Sequence, residues 1–417
     1  MRTLGDLRIA LSRRCYSVQR NAEPTAPSGL PLRRILEPTF PLPLRESISQ
    51  WRRRKQLREA EADLFACVGL RPGSAETPYR ASSLDVPVKV PNNTVKTKDP
   101  LYMNELEIEN SAVLDSNKKR HVVLVHGYGA AKGFFYRNFK MLANFGTLHA
   151  LDWLGYGLST RAHVNLPRFK KRKDGVLYAE DWFVSALESW RQKRGIEKFV
   201  LVAHSLGAPV SCTYAKKYPH RVEKIVFVSP ASVNRTPQSI PPEELYDEQS
   251  PVKPAPVSGK TLNVPSWFRW LWEQHCSPFF LVRALGPWGP KITSGWTSRR
   301  FRSLPHKDQQ ALQSYSYSMF NAKGSGEYML NYFLSAGSSS RWPLAERLEG
   351  LKCPSLWLYG DKDWMDVNGG LEAVERLRQM GVTADLKLVD NSGHHLYLDN
   401  VNAFNGYLHA FLGRSST

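Results

Sequence analysis

The predicted strand Lys198–Val202 runs without a break into Ala203-His204-Ser205-Leu206-Gly207, and this junction restricts the fold more than any other feature. A short apolar strand ending in a serine with small residues two positions away on either side implies a sharp strand-to-helix turn. Small side chains at 203 and 207 let the backbones close in, while the serine is held in a strained conformation. Ala203 stands where such turns more often carry glycine, and Pro209 falls in the first helical turn, where its missing N–H costs little. Further short apolar runs, each ending at a turn residue, predict strands at His121–Val125, Thr147–Leu151, Lys224–Ser229, Ser355–Tyr359 and Leu386–Val389. With a helix over Phe183–Lys193, the alternation predicts an α/β fold, a mostly parallel sheet with helices on both faces.

The alternation lapses between Pro230 and about Ser340, too long a stretch for a structureless loop in a compact domain. It opens Pro-rich (237–265) and continues with a segment dense in Trp, Phe and Arg. We expect a cap over residues 231–345, inserted between core segments 91–230 and 346–417.

A serine needs a base to take its proton near neutral pH. After the last predicted strand comes Gly393-His394-His395-Leu396-Tyr397-Leu398-Asp399. The pattern points to His394, with His395 as the alternative. Asp399 completes an H-x-x-x-x-D spacing known from acyltransferases, but the same spacing is common in plain hydrolases. An acid that fixes the imidazole tautomer belongs in the turn Gly360-Asp361-Lys362-Asp363-Trp364-Met365-Asp366. Asp363 fits the usual Gly-to-acid spacing, and Asp361 and Asp366 are alternatives. After the first predicted strand, His126-Gly127-Tyr128-Gly129 supplies a turn whose Tyr128 N–H would join the Leu206 N–H as an oxyanion hole, worth about 10²–10³ in rate per donor. The glycine-rich run Asp152–Ser159 lacks the Lys-Ser/Thr of a phosphate loop and reads as structural. The chemistry so read requires no metal and no cofactor.

Lys and Arg total 57 against 38 Asp and Glu, a net charge of +19. Such a field favours anionic partners, and without a zinc-finger, RNP or KH signature an anionic lipid surface is expected over nucleic acid. Five scattered cysteines with no C-x-x-C pair read as reduced packing residues. No stretch is long and apolar enough to span a bilayer. Residues 1–16 are rich in Arg and Ser, carry one acid (Asp6) and place Leu4, Leu7 and Leu11 on one helical face, the make-up of a mitochondrial transit peptide cut after Tyr16. Residues 17–90 then form an extension with one basic helix, Ile48–Leu70, whose apolar positions are Trp51, Leu57, Ala60, Leu64 and Val68.

Together the segments Leu57–Val68, His126–Phe139, Leu151–Ser159, Val202–Gly207 and His394–Asn400 resemble one branch of the α/β-hydrolase-domain family. That branch contains the fungal mitochondrial cardiolipin-specific deacylase, lysophosphatidic acid acyltransferases and N-acyl-phospholipid lipases. The likeness covers most of residues 55–410 and departs from the branch at Ala203 and Ala208, both commonly Gly. It implies an α/β-hydrolase fold, a serine nucleophile and a phospholipid acyl ester as substrate. Together with the mitochondrial address and the basic surface, it implies cardiolipin and the matrix side of the inner membrane. In that setting Trp267, Trp270, Trp272, Phe279, Phe280 and Trp288 are expected either to enter the headgroup layer, with Arg269 and Arg283 at phosphates, or to form the core of the cap.

Overall fold

The computed structural model describes residues 41–53, 56–73, 75–76, 78–113, 120–246, 254–255, 257–258, 264–336 and 339–413. The transit peptide, Cys15 and parts of the Pro-rich 237–265 stretch lie outside them. Two helices come first, α1 (Leu44–Arg53) and α2 (Leu57–Ala66). They are followed by strands β1 (Ala75–Glu76), β2 (Tyr79–Val88), β3 (Leu101–Asn110), β4 (His121–Val125) and β5 (Thr147–Leu151). Helix α3 (Arg172–Lys193), β6 (Phe199–His204), α4 (Gly207–Lys217) and β7 (Val222–Val228) complete the first half. The interval before the next sheet strand holds α5 (Ser266–Glu273), α6 (Phe279–Ala284), α7 (Gly289–Arg300) and α8 (His306–Asn321). The chain closes with β8 (Ser355–Gly360), α9 (Val367–Gln379), β9 (Ala384–Val389) and α10 (Val401–Leu412).

Among the described residues the main sheet has nine strands in the order β1-β2-β3-β5-β4-β6-β7-β8-β9. From β5 to β9 every pairing is parallel, while β1, β2 and β3 add an antiparallel edge. The parallel strands from β5 across to β8 are almost entirely buried, which is why they read as mainly apolar runs, whereas the edge strand β9 exposes Lys387. Their side chains still alternate. Val122 and Leu124 of β4 join one core with Phe134, Tyr315 of α8 and Phe404 of α10. Val123 and Val125 join the opposite core with Trp182 of α3, Tyr214 of α4 and Leu377 of α9. β4 leads to β5 on one side and pairs with β6 on the other. That reversal of strand order opens a crevice at the carboxyl ends of β4 and β6, where His126–Gly129 and Ser205 lie.

Three sequence expectations change. The predicted helix Ile48–Leu70 is two helices with different partners. In α1, Ser47 donates to the Pro287 carbonyl and Trp51 lies against Gly286, whereas α2 packs on Phe134 and on α8. Helix α3 begins at Arg172, eleven residues before the predicted Phe183, because its first turns are charged and contain Gly175. A Cβ there would come 2.7 Å from the Tyr332 ring. The sheet also starts before His121, with β2 and β3.

Candidate active site

Ser205 sits between β6 and α4 with φ +51°, the left-handed backbone that a tight elbow imposes. Its N–H donates to the Val228 carbonyl and its own carbonyl accepts from Ala231, which ties the elbow to the end of β7. Ala203 and Ala208 are completely buried around it, so Ala fits where glycine is commoner. A Cβ on Gly207 would lie 2.8 Å from the His126 carbonyl, and one on Gly127 only 2.6 Å from Ser205 Cβ. The two glycines therefore let the His126–Gly129 loop lie directly on the elbow.

His394 Nε2 lies 3.0 Å from Ser205 Oγ. On the other side of the ring, Nδ1 lies 3.3 Å from Asp363 Oδ1 and 2.7 Å from Ser229 Oγ, and the Ser229 hydroxyl also hydrogen-bonds Asp363 Oδ2. The network is satisfied in one direction: Ser205 O–H donates to Nε2, Nδ1–H to Ser229 Oγ, and Ser229 O–H to Asp363. Asp363 Oδ1 additionally accepts the Met365 N–H at 3.0 Å. Ser229 was not among the expected site residues. It follows β7 with φ +46°, donates its N–H to the Leu358 carbonyl and sits across the sheet from the Asp363 turn.

The alternatives lie elsewhere. Asp361 accepts the Ser392 N–H, and Asp366 caps α9 through the Asn368 N–H and accepts from Asn234. His395 is buried, and its Nδ1 accepts from Arg300 Nε at 3.1 Å. Burial, with the Arg300 cation beside it, pushes the His395 pKa well below the ordinary imidazole value. Asp399 receives two hydrogen bonds from Arg300, at 2.9 and 2.8 Å, and one from the Gly393 N–H at 2.9 Å. It thereby ties the loop carrying His394 to α7.

His126 is a scaffold residue. Its Nε2 accepts the Trp153 N–H at 3.1 Å, so Nδ1 carries the proton and donates to the Gly127 carbonyl at 2.8 Å. Burial lowers its pKa to about 4, keeping the ring neutral. Gly129, at φ +66°, lies under Phe279, whose ring stacks on Tyr128 with centroids 5.2 Å apart. Leu206 immediately precedes α4, so its N–H belongs to the helix-start donors that lack a partner in the helix ladder. The glycine-rich Asp152 turn is structural: Asp152 accepts from Lys132 Nζ at 2.7 Å and from the Leu158 N–H. Lys132 is fully buried and also bonds Glu61 at 2.8 Å and Asn104 at 2.7 Å, which fastens α2 and β3 to the loop after β4.

Beside the elbow, His126, Gly127, Trp153, Tyr156, Phe183, Leu206 and Val210 line an apolar pocket with about 10 Å³ for solvent. Glu105, Glu107 and His149 are close enough together to suggest a cation site. Arg194 already pairs with both carboxylates, and Trp190 donates to Glu105. His149 Nδ1 bonds the other Glu105 oxygen and its Nε2 bonds His121, so Glu105 and His149 are already engaged within the protein. Of the aromatics expected at a membrane, Trp272 is buried and donates to the Leu334 carbonyl, whereas Trp267, Trp270 and Phe280 are exposed. Arg283 of α6 pairs with Glu327, a few residues beyond α8.

A nine-stranded sheet of this order with a strained serine at its switch point defines an α/β hydrolase, and the comparisons agree. Residues 120–401 match the family described as alpha/beta hydrolase fold, so the chain belongs to that family. Among relatives, a 1-acylglycerol-3-phosphate O-acyltransferase of Arabidopsis thaliana is 34% identical over 308 residues, 72% of this chain and 68% of the relative. A human (Lyso)-N-acylphosphatidylethanolamine lipase is 29% identical over 297 residues, covering 70% and 78%. The crystal structure of carboxylesterase CesB from Bacillus subtilis superposes with TM-score 0.53 over 88% of this chain and 100% of its own, at 15% identity, a likeness of fold. The chain thus belongs to the lipid-acting part of the family, with both acyltransferases and lipases among its relatives.

Proposed function

We propose that the protein is a serine hydrolase that removes an acyl chain from a mitochondrial phospholipid, cardiolipin above others, leaving monolysocardiolipin and a fatty acid. The observation that carries the reading is the 3.0 Å contact of Ser205 Oγ with His394 Nε2 at the switch point of the sheet. Ser205 Oγ attacks the ester carbonyl while His394 takes its proton, and Asp363 holds the imidazole and stabilises the imidazolium. The N–H groups of Tyr128 and Leu206 receive the oxyanion. The intermediate collapses, His394 protonates the departing lysolipid alkoxide, and water then cleaves the acyl-enzyme by the same route reversed. The basic composition supports an anionic lipid. The Arg- and Ser-rich first 16 residues support a mitochondrial address with peripheral residence on the matrix side.

Lipid mass spectrometry of wild type and Ser205→Ala with cardiolipin-containing and cardiolipin-free liposomes tests this. Monolysocardiolipin from wild type alone is expected, and no lysolipid from any phospholipid would overturn it. The acyltransferase name of the Arabidopsis relative favours a second reading, in which a lysophospholipid hydroxyl resolves the same acyl-enzyme. Labelled acyl donor and lysophosphatidic acid distinguish the two by whether transfer exceeds background.

A further inference from the structure

The space beside Ser205, about 10 Å³, is that of a single water, whereas ligand pockets run to about 300 Å³ and more. Ser205 itself is 7% exposed. A phospholipid acyl chain needs more room than this, so part of the surrounding structure has to move; the group lying over the oxyanion loop at Gly129 is Phe279 of α6. Its ring stacks on Tyr128 and, at 4.5 Å between centroids, on Phe320, while Ser277 just before it lies 3.4 Å from the Tyr128 hydroxyl.

The same segment turns other side chains outward. Trp267 and Trp270 of α5 are 65% and 64% exposed, and Phe280 and Leu281 of α6 are each 58% exposed. With Leu285 these are five of the eleven large apolar side chains exposed among the described residues, all within one short stretch of chain. A cluster of that density marks a contact surface, and tryptophan favours the interface between water and lipid. The neighbouring charge fixes the partner. Arg269 is exposed between the two tryptophans, and α1, docked on Pro287 and Gly286, brings exposed Arg45, Arg52 and Arg53 with Glu46 alone opposing them. Glu273, at the end of α5, is paired with Arg341.

We propose that α5 and α6, rimmed by the arginines of α1, dock on an anionic phospholipid bilayer, and that docking draws Phe279 off Tyr128 to open the path to Ser205. The proposal rests on the substrate being a membrane lipid, but its test does not require turnover. Full-length Ser205→Ala protein is sedimented with phosphatidylcholine vesicles containing or lacking cardiolipin. Binding is expected with the anionic vesicles. Replacing Trp267, Trp270 and Phe280 together by Ser should weaken it at least about tenfold. Replacing Arg45, Arg52 and Arg53 by Ala should cost about fivefold per charge, on anionic vesicles only. Met380→Ser, an exposed apolar residue at the end of α9, is the control and should bind as the parent does. Retained binding in the triple Ser variant, equal loss in Met380→Ser, or a change in self-association in place of vesicle binding overturns the docking surface. In the Ser205 protein, anionic vesicles should speed fluorophosphonate labelling, and the triple Ser variant should lose that acceleration. Acceleration that persists without docking overturns the opening step. Labelling absent throughout, with sedimentation intact, counts against the nucleophile alone.

Discussion

Ser229→Ala tests the geometry around His394 most sharply. The Ser229 hydroxyl is 2.7 Å from Nδ1 and bonds Asp363, while Asp363 itself reaches Nδ1 only at 3.3 Å. The shortest link from imidazole to carboxylate therefore passes through Ser229. A hydrogen bond to a charged group contributes about 1.5–3 kcal/mol, or roughly 10–150-fold in rate. Because Asp363 stays within reach, the low end applies, and kcat is expected to fall about tenfold. KM should hold, since Ser229 lies on the Nδ1 side of the ring, away from Ser205. The backbone at 229 is already at φ +46°, and alanine adds no conflict there that serine does not carry. Asp363→Asn should cost far more, about 10⁴-fold, by stabilising the wrong tautomer. The assay is steady-state hydrolysis of a soluble nitrophenyl ester, with melting midpoints to verify folding. Turnover of Ser229→Ala within twofold of wild type would refute the relay. A loss as deep as that of Asp363→Asn would refute the direct Asp363 contact.

Gly127→Ala places a Cβ 2.6 Å from Ser205 Cβ and 3.1 Å from His204 Nδ1, so turnover should drop about a hundredfold, read on the same ester. Lys132→Met strands the buried carboxylates of Glu61 and Asp152 and should cost about 3–5 kcal/mol in urea unfolding, with Glu61→Gln in the same chain recovering part of it. Burial holds His126 at about pKa 4, and pushes His204 and His395 well below the unfolded value of 6.5. The unfolded chain therefore takes up these protons first as pH falls, and stability present above 6.5 drains away toward 4. At pH 5 His126 alone accounts for a loss of about 2 kcal/mol, and His204 and His395 act in the same direction, visible as a falling melting midpoint; a flat profile from pH 7 to 5 would contradict it.

The sequence was readable where burial is simple. β4 to β8 read as mainly apolar runs ending at turn residues, and the elbow is spelled out in five residues. β2 and β3 were not readable, because YRASSLDVPV and LYMNELEIEN put polar side chains into the sheet. Asn104 and Glu105 are wholly buried there, each satisfied by residues distant in sequence: Lys132 for the first, His149 and Trp190 for the second. Ser229 closes a predicted strand, yet only the pairing of β7 with β8 sets its hydroxyl beside Asp363. Neighbouring His394 and His395 could not be separated by pattern. The fold turns one ring to Ser205 and the other to Arg300.

The same geometry bears on hydrolysis against transfer. In the H-x-x-x-x-D spacing, Asp399 is fully engaged by Arg300 and the Gly393 N–H, so it serves the loop that carries His394 and touches neither Ser205 nor the pocket wall. In the proposed reaction both outcomes start from one acyl-enzyme and use one base, so the Ser205–His394 pair does not select between them. What differs is the hydroxyl that arrives second. The pocket is apolar and holds about one water, so under the opening proposed above the second hydroxyl arrives beneath α6. A cap that opens onto a bilayer brings lysolipid hydroxyls to that opening, whereas one that opens to solvent brings water. Under the function and docking proposed above, the partition between products is set by how α5 and α6 meet the membrane, not by the residues that make and break the ester bond.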